Sequence, residues 1–158
     1  MRNRRYCLVL IAFALFLGFL TGCASRGYKA GAFNSYFSEE CPAHAAPLMA
    51  DHLAGLLSAH YPPGHTALFL NLTGTEKDGF GPALETALRS RGFVISADKG
   101  NQAVTLAYIL DRIEENNWYV RLSLTDGLGL AQTYSLDGDN LEIMAATQTG
   151  RMGGGHVQ

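Results

Sequence analysis

From Pro47 onward the chain switches between two hydrophobic periods. Met49, Leu53, Leu56 and His60 fall at i, i+4, i+7 and i+11, with Leu48 and Leu57 widening the stripe. That spacing predicts an amphipathic helix. Pro47 suits its first turn, and Pro62-Pro63-Gly64 stops it. Period two then takes over. Leu68, Leu70 and Leu72 alternate within residues 66–73, predicting a strand, and Phe69 on the other face implies cover on both sides. Residues 74–78 read as a loop before a second helix, with Gly81 as cap, Pro82 at the first position, and Leu84 and Leu88 on one face. Arg89 and Arg91 complement the C-terminal end of its dipole, and Gly92 is placed to terminate it in the left-handed conformation. Phe93-Val94-Ile95 starts the next strand, and strand–helix–strand at this spacing implies a right-handed crossover between parallel neighbours.

The remainder reads as a meander. Residues 102–111 alternate Val104, Leu106, Tyr108 and Leu110, and residues 118–125 alternate Trp118, Val120, Leu122 and Leu124. Glu115-Asn116-Asn117 supplies the first turn and Asp126-Gly127 the second. Residues 128–136 form the last expected strand, closed by Asp137-Gly138-Asp139-Asn140, with a short helix expected over 141–146. The fold class this implies is α+β: a mixed, mainly antiparallel five-stranded sheet with two helices on one face.

Ahead of this pattern lies a segment of another kind. Arg2, Arg4 and Arg5 give a basic start, Cys7 to Leu20 is uncharged and apolar, and Leu20-Thr21-Gly22-Cys23 follows. Basic, apolar and small-residue regions in that order read as a secretory signal. The final four residues match the lipobox of bacterial lipoproteins, in which cleavage falls between Gly22 and Cys23 and the Cys23 thiol takes the lipid. A membrane-spanning anchor over Tyr6 to Ser25 is the competing reading, but the strongly apolar part is shorter and the cysteine sits where a lipobox requires it. Either way the bulk of the chain lies outside the cytoplasm. Ala24, in place of the aspartate that signals inner-membrane retention, points to the periplasmic face of the outer membrane. The expected organisation is a signal at 1–22, a lipidated tether at 23–41, the α+β domain at 42–147, and a flexible tail at 148–158 with three consecutive glycines.

Charge sharpens this picture. The signal holds three of the twelve basic residues and none of the fourteen acidic ones, leaving nine against fourteen, a net charge of −5. Lys and Arg occur without a basic run in that remainder, which argues against a nucleic-acid-binding surface. The membrane, through the lipid, and other proteins are the expected partners. Tyr28, Phe33, Tyr36 and Phe37 are too many aromatics for an inert spacer. They either order against a partner or pack back on the domain. Cys41 is left as an odd cysteine in an oxidising compartment, open to an intermolecular bridge, a free thiol or a small buried hydrophobe. These four aromatics and Cys41 are the candidate partner contacts.

Catalytic templates find no match. In Gly74-Thr-Glu-Lys-Asp-Gly-Phe-Gly81, Lys77 precedes the Gly it would have to follow in a phosphate loop, and Leu84 stands where a dinucleotide fingerprint needs its third Gly. His44, His52, His60 and His65 are spaced by eight, eight and five residues, against the three or four that helical zinc ligands require. Asp111, Glu114 and Glu115 cluster at a turn, where solvated charges are expected, and Asp137-Gly-Asp-Asn lacks the later ligands of a calcium loop. No metal, cofactor or catalytic group is expected.

Tyr61-Pro62-Pro63-Gly64 before the first strand, Phe80-Gly81 with Leu84, Leu88-Arg89-x-x-Gly92-Phe93, and Tyr134-x-Leu136-Asp137-Gly138 together span most of the domain. With the lipobox ahead of them, they give a chain that resembles the TrbH family, lipoproteins of the mating-pair formation apparatus of conjugative plasmids. The resemblance implies a structural role in a type IV secretion system, stabilising the outer-membrane part of the transfer channel, with protein subunits of that channel as partners and no catalytic residues. The alternative is a periplasmic binding or regulatory lipoprotein that acts on a cell-wall enzyme.

Overall fold

The computed structural model describes residues 33–100, 102–144 and 147–151, all within the compact unit that begins at Phe33. In chain order the elements are β1 (Tyr36–Phe37), α1 (Ala45–His60), a 3-10 turn (Pro63–His65), β2 (Ala67–Leu70), α2 (Phe80–Ser90), β3 (Val94–Ile95), β4 (Val104–Glu114), β5 (Asn117–Leu124), β6 (Leu128–Asp137), β7 (Asn140–Ile143) and β8 (Gln148–Arg151). All strands join one sheet, ordered β3-β2-β4-β5-β6-β7, with β1 also on β4 and β8 also on β6.

Both helices and the long strands match their periodic patterns. Strand count and sheet type do not match. The sheet has eight strands rather than five, and it is mixed rather than mainly antiparallel, because β1, β2 and β3 all make parallel pairs. The physical reason is the length of β4 and β6. Each is long enough for one outer edge to be shared by two short strands, β2 and β1 on β4, and β7 and β8 on β6. The tether expected over 23–41 therefore gives up residues 33–41 to the folded unit, and the tail expected from residue 148 begins with β8. The short helix expected over 141–146 is instead strand β7. Gly138, at φ +59°, turns the chain back tightly enough for Asn140 to pair with Asp137 and Leu141 with Leu136.

The core lies on one face of the sheet. Leu106, Tyr108 and Leu110 oppose Leu124, Leu122 and Val120 on β5, and Leu122 and Trp118 in turn oppose Leu130 and Tyr134 on β6. All of these side chains are buried. The helices cover this same face: the Phe80 ring of α2 packs 5.1 Å from Tyr108, and the His52 ring of α1 meets Tyr134 edge-on at 5.7 Å. Ala45, Ala46, Ala50 and Ala54 are fully buried along α1, small side chains that permit close approach of its neighbours. Phe69 pairs with Thr105 on the opposite face and is only half-buried. The two-sided cover expected for β2 is thus not formed by the helices.

Helix α2 ends as its sequence indicates. The amide of Gly92, at φ +89°, donates to Arg89 O at 2.9 Å, and that of Phe93 to Leu88 O at 3.1 Å, the paired bonds of a Schellman terminus. Arg91 then reaches across to α1, donating to Asp51 Oδ1 at 2.8 Å. Leu122 sits in the middle strand, fully buried, beside Tyr108 and Leu130. Truncating Leu122 to Ala should cost about 2–5 kcal/mol by lost transfer energy and a residual cavity. A denaturant midpoint unchanged from wild type would contradict this register.

Candidate functional site

The residues nominated for cleavage, lipidation and partner contact separate into two groups. Gly22, Cys23 and Tyr28 lie outside the described residues. The other four sit where the chain enters the sheet. Ser35 is the pin: its hydroxyl donates to Asn71 O and accepts from the Tyr108 amide at 3.0 Å. Asn71 Nδ2 in turn bonds Phe33 O. The Ser38 amide continues the ladder to Leu110 O at 2.9 Å. Within this clamp Phe33 is half-buried, Phe37 packs against the core, and Tyr36 is 51 % exposed.

Cys41 belongs to the core. It is buried, its thiol lies 3.7 Å from Pro42 O, and burial pushes its pKa up to about 11. The thiolate is the form that attacks a disulfide, so burial suppresses exchange. Of the alternatives open from sequence, the small buried hydrophobe is the one this geometry matches. Tyr36 is thus the exposed aromatic of the described group, held outward by a neighbour that packs inward.

The histidines are not brought together. His52 Nδ1 lies 2.9 Å from the Tyr134 hydroxyl, while His44 Nε2 lies 3.3 Å from Gly138 O and 3.6 Å from Asp139. Among the described residues no group of three or more His, Cys, Asp or Glu is arranged to hold a metal. Asp111, Glu114 and Glu115 are solvent-exposed at the β4–β5 turn.

One polar cluster was not singled out from the sequence. Asp78, only 6 % exposed, precedes α2 and accepts from the Phe80 amide at 3.1 Å and the Gly81 amide at 2.9 Å. Its other oxygen accepts from Thr73 Oγ1 at 2.6 Å and from the Tyr108 hydroxyl. An aspartate just ahead of a helix is a capping signal, and that half of its role was legible. The link to Tyr108 was not, because it joins residues thirty apart in sequence. Burial first, and then the bond to Asp78, raises the Tyr108 pKa far above its ordinary value. With both carboxylate oxygens engaged by protein donors, Asp78 holds the 71–79 loop against β4.

The same cluster explains Gly81. A Cβ there would meet the Tyr108 hydroxyl, lie 2.9 Å from Leu72 Cδ2 and 3.1 Å from Asp78 Oδ2. No helix among the described residues is long and apolar enough to cross a membrane.

A one-domain α+β unit, without an assembled metal site among its described residues, is a scaffold on which family identity decides more than local chemistry. That identity is a conjugal transfer protein: the family described as Conjugal transfer protein TrbH matches residues 28–151, more than half of the chain. The chain belongs to the TrbH family. No curated protein and no solved structure matches it.

Gly81→Ala should destabilise the domain by about 1–3 kcal/mol, the range for overpacking, read as a lower denaturant midpoint. A midpoint equal to wild type would show that the Tyr108–Asp78 contact yields freely. The α1–β6 contact adds a pH dependence. Burial lowers the pKa of His52, with the Asp51 charge opposing it in part. The unfolded chain therefore binds the proton more readily than the fold does, so stability is full above about pH 6.5 and declines as pH falls through the lowered folded value. His52→Gln should flatten this acid limb in denaturation curves between pH 7 and 5 (about the span of histidine titration). An acid limb as steep as wild type would assign it to other groups.

Proposed function

We propose that this TrbH-family chain is an outer-membrane-anchored structural lipoprotein of a conjugative type IV secretion apparatus, lipidated on Cys23 and docked on protein subunits of the transfer channel. The observation that carries this reading is the position of Cys23 at the end of a lipobox, five residues ahead of the region that matches the family. Two or more acyl chains give stable membrane attachment where one does not, and a mature lipoprotein carries three.

Ten Cα steps separate Cys23 from Phe33, where the described residues begin. Ten steps span at most about 36 Å even when fully extended. The domain is held near the bilayer, with the β1 end of the sheet closest along the chain. Tyr36 is exposed at that end, and aromatic side chains of this kind are enriched at protein interfaces. The net charge of −5 on residues 23–158 suits contact with proteins rather than with the transferred nucleic acid.

Replacing Cys23 by Ser tests the anchor. Metabolic labelling with a palmitate analogue should disappear, a slower-migrating precursor should accumulate, and mating frequency should collapse at matched protein levels. His60→Ala, at the exposed end of α1, should mate at the wild-type level. Undiminished labelling of Cys23→Ser would remove the lipoprotein reading. A histidine variant as damaging as Cys23→Ser would replace the structural role with an active or metal site.

A further inference from the structure

The strand edge next to Tyr36 has features that a solvated turn does not need. Beyond the pairing of Phe37 with Leu110, the outer edge of β4 carries on to Glu114 without a strand beside it, and β1 pairs with β4 alone among the described residues. The β4–β5 register shifts between Arg112 and Glu114, which makes Ile113 the extra residue of a bulge. Bulges re-aim side chains, and Ile113 is 57 % exposed. Together with Tyr36 it lines an open groove of about 420 Å³. Two large hydrophobic side chains thus stand beside an unpaired strand edge.

Charge selects what fits there. Four carboxylates line the groove, Glu40, Asp111, Glu114 and Glu115, all exposed, against one cation, Arg112, and Glu39 adjoins Glu40 in the chain. Lys77 pairs with Glu39 at 2.5 Å and Arg112 with Glu40 at 2.7 Å. No cation among the described residues pairs with Asp111, Glu114 or Glu115. A second copy meeting this edge to edge would set like charges against each other, which is destabilising for directly opposed strand positions. An exposed edge is otherwise a template for strand addition, in which main-chain hydrogen bonds supply affinity and alternate side chains supply specificity.

We infer that this groove binds an extended segment of another protein that carries lysine or arginine together with apolar side chains. The segment adds as a strand along the free end of β4, beyond β1. Its apolar side chains cover Tyr36 and Ile113, and its cations meet Asp111, Glu114 and Glu115. The inference rests on the reading of the protein as a docked structural subunit and supplies the chemistry of the partner.

The test uses the full lipidated chain in detergent and two fluorescein-labelled heptapeptides, one alternating Lys with Val and one alternating Glu with Val. Anisotropy should show binding of the lysine peptide only, weakened by added salt. The double variant Asp111→Lys with Glu114→Lys should weaken it about tenfold, since each exposed charge contact contributes up to roughly 1 kcal/mol and 1.4 kcal/mol is a factor of ten. Ile113→Ser should weaken binding without a change in salt dependence. All three positions are exposed, and an unchanged denaturant midpoint confirms that each variant is folded. Equal binding of both peptides, no binding, or indifference to the charge reversal would overturn the inference. So would a concentration-dependent dimer in sedimentation that Ile113→Ser abolishes, because the occupant would then be a second copy. Palmitate labelling and the mating frequency of Cys23→Ser are read separately, so the anchor stands if only the peptide result fails.

Discussion

The backbone of β4 is the constraint on which the rest of the structure depends. Eleven residues long, it crosses the core with Leu106, Tyr108 and Leu110 facing the helices. Buried backbone donors and acceptors require partners on both edges. On one side β5 supplies them from Leu106 to Glu114. The other side is divided: β2 serves residues 104–106 in parallel, and β1 serves 109–110. Neither short strand spans the whole edge, so the junction between them has to be closed by something else. Ser35 closes it, accepting from the Tyr108 amide and donating to Asn71 O. The first described residues of the chain therefore complete the sheet.

This division decides what was legible in the sequence. The helices and the three long strands announce themselves because each holds several repeats of its period. Strand β3 was legible from the helix stop ahead of it, whereas the two-residue β1 holds no period at all and forms because an edge is waiting for it. The same applies to β7 and β8, which fill the outer edge of β6. A short helix was expected over 141–146, and the turn at Gly138 and the outer edge of β6 instead set residues 140–143 as a strand. Within the candidate site, the aromatic-rich stretch was visible but its division was not. Inward or outward placement of Tyr36 and Phe37 depends on the register against Ile109 and Leu110, seventy residues downstream. Asp78 was half legible, as a cap without its tyrosine.

The polar groups fall into two populations with different thermodynamic roles. Inside, each is saturated. Asp78 has donors on both oxygens, Tyr134 meets His52, and Gln132 accepts from Thr147 at 2.7 Å. No buried side-chain polar atom among the described residues lacks a partner. A buried network of this kind fixes geometry, since breaking one member leaves another unsatisfied at a cost of about 1–3 kcal/mol.

Outside, at the β1 end, the opposite holds: carboxylates without cations, two exposed hydrophobic side chains and an unpaired strand edge lie together. An edge strand that a protein does not use is normally blunted, and inserted charge is one means of doing so. Acidic residues along β4 accordingly discourage pairing with a like copy, and the Arg112 amide is held meanwhile by the Asp111 carboxylate, a contact that an incoming strand of opposite charge would exchange. Discrimination then comes from repulsion as much as attraction.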